Sequence, residues 1–129
     1  RFVALDELLA NADIVTLHTP ALPETYHLIS HATLARMKPT ALLINTARGD
    51  LVDEAALADA LQRGLIAGAA SDVFKHEPPG QSALLALDNF IATPHSAGQT
   101  EDGLRQMGEI TAENALLVLA GQQPLFRVS

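Results

Sequence analysis

Short apolar runs alternate along the chain with segments of helical periodicity, and this alternation narrows the folds that the chain can adopt. The runs "IVTLH", "ALLIN" and "NFIAT" are rich in β-branched and large apolar residues. In the segments between them, apolar residues recur every three or four positions, as they do on one face of a helix. Strands with so little polar character are typical of parallel sheets covered by helices. We therefore predict an α/β fold built on a doubly wound parallel sheet.

Polar residues suited to helix caps mark the starts of the predicted helices. Asp6 and Ser30 begin two short helices, and Asp53 begins a third whose apolar residues share one face. A long amphipathic helix is predicted from Thr100 to a stop at Gly121. In addition, "LIAGAASDVF" predicts a strand at its Val-Phe end, and the tail "QQPLFRVS" predicts one edge strand.

Composition and charge argue against several classes of partner. The 129 residues contain eight Lys plus Arg and fifteen Asp plus Glu, and the net charge of -7 repels a phosphate backbone, so no nucleic-acid partner is expected. No apolar run approaches the roughly 20 residues that cross a bilayer, so no membrane partner is expected. The absence of cysteine is compatible with a reducing compartment. We expect a cytoplasmic protein with a single hydrophobic core.

Polar and ionisable residues follow each predicted strand. The carboxyl ends of parallel strands meet at one edge of the sheet, which is where α/β proteins bind their ligands. An arginine, a carboxylate and a histidine are therefore expected to converge at this edge although they lie far apart in the sequence. The residues that follow the strands are, in chain order, Thr19, Pro20, Thr46, Ala47, Arg48, Asp72, Glu77, His95, Ser96, Ala97 and Gly98.

Three of these residues have the chemistry of an active site. The guanidinium of Arg48 is planar and permanently charged, and it can bind a carboxylate through two hydrogen bonds, which suits an anionic substrate. A histidine such as His95 can donate or accept a proton, and a neighbouring carboxylate such as Glu77 would orient it. A cation for the anion together with an acid-base group fits hydride chemistry at a 2-keto or 2-hydroxy acid.

Four segments in order, "DELLANADIVTLHTPALPET", "INTARGDLVDEAALADAL", "ASDVFKHEPP" and "TPHSAG", resemble the D-isomer-specific 2-hydroxyacid dehydrogenases over almost the whole chain. The resemblance implies that Arg48 of "TARG" holds the substrate carboxylate, that His95 of "PH" is the catalytic acid-base, and that Glu77 of "EP" pairs with it. It also implies hydride transfer between an NAD cofactor, with NADP as the alternative, and a D-2-hydroxy acid or 2-keto acid. The cofactor-binding residues implied by position are Thr19, Pro20, Thr46, Ala47, Arg48, Asp72, His95, Ser96, Ala97 and Gly98.

The resemblance also implies how the chain is organised. Residues 1–99 correspond to the C-terminal half of a Rossmann-like dinucleotide-binding domain, and residues 100–129 to a crossover helix and tail that lead back to a missing substrate domain. Position 1 is Arg rather than Met, so we expect an excised piece of a longer polypeptide. We expect the parent enzyme to be a homodimer. The isolated piece is expected to be inactive, because the sequence contains no G-x-G-x-x-G turn for the cofactor pyrophosphate.

Two positions depart from the family pattern, and a second function stays open. Ser71 stands where the family more often has an apolar residue, and Ser96 stands where isoleucine is common. The alternative function is a noncatalytic binding or dimerisation module that retains a vestigial dehydrogenase site. The length of the natural polypeptide separates the two hypotheses, because an upstream half with the glycine-rich turn supports the enzyme.

Several other residues have simpler interpretations. The tripeptide Arg48–Asp50 occurs in adhesion motifs, but here it lies between a predicted strand and a predicted helix in a chain without cysteine, so adhesion is not favoured. His18 follows a strand but is interpreted as a structural histidine. His27 and His31 have the spacing of a zinc-binding pair on a helix, but no third ligand is evident and no metal site is expected.

Overall fold

Four parallel strands organise the first part of the chain. A computed structural model describes residues 1–127 and divides the chain into two compact units, Arg1–His95 and a second that begins at Ser96. The four strands belong to the first unit, pair in chain order and run parallel. Their bounds are β1 Ile14–Leu17, β2 Leu42–Asn45, β3 Gly68–Ser71 and β4 Phe90–Ala92. The predicted α/β fold with a parallel sheet is confirmed.

Helices and short turns precede or connect the strands of the first unit. The helix that follows β2 begins where the sequence predicts, because the side chain of Asp53 accepts the Ala56 N–H at 3.1 Å. Most apolar residues of this helix are buried, and it packs against the preceding helix. The helices are α1 Leu5–Asn11, α2 His31–Leu34 and α3 Glu54–Gln62, and 3₁₀ turns cover Pro23–Thr25, Gly49–Leu51 and Ala83–Ala86.

One face of the sheet forms the core and the other is largely exposed. Side chains alternate between buried and exposed along β1 and β2, and the buried set joins the hydrophobic core. The opposite face carries Ile14, Leu42 and Ile91, which are 59, 42 and 66% exposed. An apolar surface of this kind is one that a further element or chain usually covers.

The third strand ends earlier than the sequence predicts. Beyond the end of β3, Val73 and Phe74 are buried in irregular backbone. The N–H of Phe74 donates to Oε1 of Glu77 at 2.9 Å, and the N–H of Lys75 donates to Oε1 of Glu54 at 2.8 Å. Side-chain carboxylates therefore accept the backbone N–H groups that a longer strand would donate to a neighbouring strand of the sheet.

Two other predicted elements are shorter or absent. The helix predicted from Ser30 has a single turn, because the N–H groups of Arg36 and Met37 donate to carbonyls three residues earlier, the 3₁₀ pattern that closes a helix. Residues 122–127 form no strand. Residues 128 and 129, which end both the predicted edge strand and the predicted segment 100–129, lie outside the described residues.

The long amphipathic helix predicted from Thr100 is confirmed in the second unit as α4, Glu101–Leu119. The side chain of Thr100 caps it by accepting the Gly103 N–H at 3.0 Å. None of its residues is buried, and its apolar stripe includes Leu104 and Met107, which are about half exposed. Within residues 1–127, no helix combines the length and the hydrophobicity that crossing a bilayer requires.

Candidate active site

All four strands end in one row at the carboxyl edge of the sheet, because the register pairs their last residues with one another. Neighbouring strands lie roughly 4.8 Å apart, so the ends of β2 and β4 are separated by about 10 Å. The segment after β2 carries Arg48, and the segment after β4 carries His95. The segments that carry Arg48 and His95 therefore start close enough together for one bound ligand to contact both.

A buried asparagine fixes the loop that carries Arg48. Asn45, which is 3% exposed, donates from Nδ2 to the Arg48 carbonyl at 2.9 Å and accepts the Ala47 N–H on Oδ1 at 3.1 Å. The Arg48 side chain is exposed, and its Nη1 donates to the Ala47 carbonyl at 2.7 Å. Arg36 and Arg63 pair with aspartates, whereas Arg48 has no carboxylate partner among residues 1–127. An unpaired guanidinium of this kind suits an anionic ligand.

The tripeptide Arg48–Asp50 does not project from the protein. Gly49 is buried, and a Cβ at this position would lie 2.1 Å from the carbonyl carbon of Phe74, so the two backbones touch. The Asp50 carbonyl accepts the His27 N–H at 2.9 Å. An adhesion tripeptide needs a projecting, flexible loop, and this geometry does not support that alternative.

Glu77 and His95 form a direct pair. Nδ1 of His95 lies 2.7 Å from Oε2 of Glu77, while Oε1 of Glu77 accepts the Phe74 N–H at 2.9 Å. The hydrogen bond with His95, followed in size by the one from Phe74, holds the pKa of the Glu77 carboxyl below its ordinary value. The backbone of His95 is left-handed, with a φ of 53°, a conformation that is uncommon outside glycine and recurs at functional sites. An ionised Glu77 therefore orients the imidazole.

Asp72 is a buried carboxylate directly after β3. It is 4% exposed, its N–H donates to the Asn45 carbonyl at 2.9 Å, and the hydroxyl of Thr93 donates to its Oδ1. The Thr93 contact ties the segment after β4 to the segment after β3. Asp72 therefore holds in place the backbone that leads to His95.

Two cavities open along the carboxyl edge, and each is lined by some of the predicted site residues. Their volumes, about 410 Å³ and about 440 Å³, are in the range of small-ligand pockets. The lining of the first includes Asp72, Glu77, Thr93 and His95. The lining of the second includes His18, Thr19, Pro20, Thr46, Ala47 and Arg48.

Three predicted cofactor contacts, Ser96, Ala97 and Gly98, belong to the second unit. The Ser96 carbonyl accepts the Gln99 N–H at 2.9 Å, which forms a turn just before α4. The contacts of these three residues with a cofactor stay predictions.

Three further histidines have local partners. Nε2 of His18 lies 3.0 Å from a threonine hydroxyl. Nδ1 of His27 lies 3.8 Å from Asp53, and Nδ1 of His31 lies 3.9 Å from Asp59. Over the described part of the chain, no group of three or more His, Cys, Asp or Glu is arranged to hold a metal ion.

Sequence reasoning did not single out four residues that shape this edge, namely Asn45, Gly49, Glu54 and Thr93. The signal for Asn45 was a polar residue at the end of an apolar run, and the signal for Gly49 was a glycine beside an arginine. Glu54 and Thr93 carried no comparable signal, because an acid at a helix start and a threonine before proline are ordinary in sequence.

Comparison with known proteins gives consistent matches. The family model described as "D-isomer specific 2-hydroxyacid dehydrogenase, NAD binding domain" matches residues 1–97. A glyoxylate reductase of Thermofilum pendens is 49% identical over 125 residues, which are 96% of this chain and 37% of the relative. A D-3-phosphoglycerate dehydrogenase of Methanocaldococcus jannaschii is 47% identical over 118 residues, which are 92% of this chain and 22% of the relative.

A solved structure agrees with these matches. The structure of D-lactate dehydrogenase with NAD+ from Lactobacillus jensenii matches with a TM-score of 0.88 and 39% identity, over 98% of this chain and 42% of that chain. The chain thus spans less than half the length of each of the three proteins.

Proposed function

The chain belongs to the D-isomer specific 2-hydroxyacid dehydrogenases, in the part that forms their NAD-binding domain, and on this premise we propose that the protein transfers hydride between a nicotinamide cofactor and a D-2-hydroxy acid or its 2-keto acid. A glyoxylate reductase, a D-3-phosphoglycerate dehydrogenase and a D-lactate dehydrogenase are among the proteins it resembles. Their names support a small 2-keto or 2-hydroxy acid as the substrate class.

The observation that carries the proposal is the pair formed by Glu77 and His95 on the sheet edge that also carries Arg48. The 2.7 Å contact orients an acid-base group, and the guanidinium has no carboxylate partner among residues 1–127. The pair supports the enzyme, and the length of the natural polypeptide separates it from a module with a vestigial site.

Each of the three residues has one task in the proposed reaction. Arg48 binds the substrate carboxylate and fixes the position of C2. Glu77 holds Nδ1 of His95, so Nε2 is the atom that exchanges a proton with the oxygen on C2. In reduction His95 gives that proton to the developing alkoxide, and in oxidation it takes the hydroxyl proton.

The residues at the carboxyl edge fit the nicotinamide end of a dinucleotide. The cavity beside His95 measures about 410 Å³, and the buried Asp72 supplies a carboxylate to its wall. When bound, the cofactor accepts or supplies the hydride at C2. We propose NAD, with NADP as the alternative, and the family description and the relative solved with NAD+ support NAD. The proposed contacts are Thr19, Pro20, Thr46, Ala47, Arg48, Asp72, His95, Ser96, Ala97 and Gly98.

The proposal includes the organisation of the whole protein. We assign residues 1–99 to the C-terminal half of the dinucleotide-binding domain, which the family match to residues 1–97 supports, and residues 100–129 to the crossover helix and tail. We propose a cytoplasmic homodimer, supported by the lack of cysteine and by the exposed apolar faces of the sheet and α4. Light scattering on the natural full-length protein should give twice the mass of one chain, and a monomer would overturn the dimer.

The test of the proposed function is NADH oxidation by the natural full-length protein with glyoxylate, pyruvate or 3-phosphohydroxypyruvate. We expect turnover of at least one of these acids. His95→Asn should lower kcat by roughly 10²- to 10⁴-fold, the usual contribution of acid-base catalysis. His31→Asn, a change at an exposed histidine, is the matched control and should keep wild-type activity. Turnover of none of the three acids would overturn the proposal and support the noncatalytic module.

A further inference from the structure

The peptide that joins Phe74 to Lys75, together with the N–H group that precedes it, is held by two carboxylates. On one side, the Phe74 N–H donates to Oε1 of Glu77, the residue that orients His95. On the other side, the Lys75 N–H donates to Oε1 of Glu54 at 2.8 Å, across 21 positions of sequence. The N–H group of this peptide, which belongs to Lys75, and the preceding N–H group of Phe74 are therefore both held by side chains rather than by the sheet.

The loop that carries Arg48 rests on the same peptide. A Cβ at Gly49 would lie 2.1 Å from the Phe74 carbonyl carbon and 2.3 Å from the Lys75 nitrogen. Only a glycine permits the two backbones to approach this closely. A displacement of this peptide would therefore disturb the segment of Glu77 directly, and the loop of Arg48 only as far as the hydrogen bonds of Asn45 to Arg48 and Ala47 allow.

Glu54 provides a rigid anchor for this peptide. It is the first residue of α3, a helix whose inner face is buried in the core, and its own side chain is half-buried. The ammonium of Lys75 instead donates to the Tyr26 hydroxyl at 3.1 Å. The hydrogen bond of Glu54 is thus with the backbone of the segment, while the ammonium of Lys75 binds Tyr26.

We propose that Glu54 is a positioning residue for the hydride transfer. By accepting the Lys75 N–H, Glu54 holds the Phe74 N–H where Glu77 binds it, and so keeps His95 in its reactive orientation. Because Asn45 fixes the loop of Arg48 independently, the effect of Glu54 falls mainly on proton transfer rather than on substrate binding. This role rests on the proposed function.

Two substitutions separate the hydrogen bond of Glu54 from its charge, and both are to be made in the natural full-length protein. Glu54→Asp keeps a negative charge at the start of α3 but withdraws the oxygen by one methylene. Glu54→Gln loses the charge but keeps an oxygen at the same reach. Glu113→Asp, on the exposed side of α4, controls for the shortening itself.

We expect Glu54→Asp to lower kcat by roughly 10- to 100-fold, because a misplacement of about 1 Å can cost about two orders of magnitude in rate. KM for the 2-keto acid should change by less than about threefold, as for an interaction that acts mainly in the transition state. Hydrogen exchange at the Lys75 amide should become faster in Glu54→Asp. Glu54→Gln and Glu113→Asp should keep kcat and the exchange rate near the wild-type values.

Wild-type kcat in Glu54→Asp would overturn the positioning role while leaving the proposed function intact. Loss of kcat in Glu54→Gln with retention in Glu54→Asp would overturn it as well, because charge would then be the decisive property. A wild-type protein that reduces no 2-keto acid would overturn the proposed function, and the role of Glu54 with it.

Discussion

Arg48 is the side chain assigned to the substrate itself, so its replacement gives a sharp prediction for a single residue. In the natural full-length protein we expect Arg48→Ala to lower kcat/KM for the 2-keto acid by roughly 10²- to 10³-fold, the usual cost of losing one charge-stabilising donor. Arg48→Lys should recover only part of this loss, because an ammonium cannot form the two parallel hydrogen bonds that a planar guanidinium makes with a carboxylate. Arg63→Ala, which removes a surface pair with Asp59, is the control. Unchanged kinetics in Arg48→Ala would exclude the assigned role.

The charge of Glu77 predicts a pH dependence of stability. Its pKa is lowered by the hydrogen bond with His95 and then by that from Phe74. A carboxyl with a lowered folded pKa stabilises the folded state above its unfolded pKa of about 4.3, and this contribution disappears as the pH falls through the folded value. We expect the melting temperature of the wild type to exceed that of Glu77→Gln at neutral pH, with a gap that closes below about pH 4.3.

The control for this measurement is Glu113→Gln, which changes an exposed carboxylate of α4. It should show little difference from the wild type across the same pH range, because Glu113 is exposed and even paired surface charges contribute little to stability. A gap for Glu77→Gln that stays constant from neutral to acid pH would show that the charge of Glu77 does not stabilise the fold.

Residue chemistry and motif order predicted Arg48, Glu77 and His95, and the structure puts the last two in direct contact. The contacts of Asn45 and Glu54 were not predictable in the same way, because they depend on loop geometry that periodicity does not encode. Ser71 illustrates the same limit. The family resemblance implies an apolar residue at this position, yet the buried hydroxyl of Ser71 donates to the Val73 carbonyl at 2.7 Å and is therefore satisfied.

At the scale of elements, the packing of the 3₁₀ turn Gly49–Leu51 against the segment after β3 predicts the effect of a single methyl group. Gly49→Ala would press a Cβ against the Phe74–Lys75 backbone, and we expect a loss of about 1 to 3 kcal/mol in the free energy of unfolding. Gly108→Ala is the matched control, because nothing lies within 4 Å of a Cβ there. In the interior of α4 this change should instead stabilise the protein by about 0.5 to 1 kcal/mol.

Both variants are measured by denaturant unfolding of the natural full-length protein. Equal stability of Gly49→Ala and the wild type would show that the two backbones can separate at little cost, and the close approach would then not be needed for folding.

Elements with strong local signals were predictable from the sequence and weaker ones were not. The runs that became β1, β2 and β4 are apolar, and the caps of α3 and α4 are polar residues that accept the expected N–H groups. β3 is Gly68–Ser71, which consists of small residues with little strand propensity. The strand was therefore predicted at the more apolar Val73 and Phe74.

At the scale of the whole molecule, the 129 residues contain the proposed catalytic edge but no glycine-rich turn for a pyrophosphate. We therefore expect the isolated chain to bind NADH at least about tenfold more weakly than the natural full-length protein, a difference of about 1.4 kcal/mol, and to reduce no 2-keto acid. Titration followed by NADH fluorescence measures the affinity. Robust turnover by the isolated chain would show that the missing turn is not required.

The central claim is that this sheet edge directs hydride to C2 of a 2-keto acid. Its most direct test is to supply the natural full-length protein with NADH fully deuterated at C4 of the nicotinamide and pyruvate or 3-phosphohydroxypyruvate, and to examine the product by mass spectrometry and chiral chromatography. The account predicts one deuterium at C2 of a D-2-hydroxy acid, formed roughly 10²- to 10⁴-fold more slowly when His95→Asn replaces the wild type. A product of L configuration, or one without deuterium at C2, would contradict it.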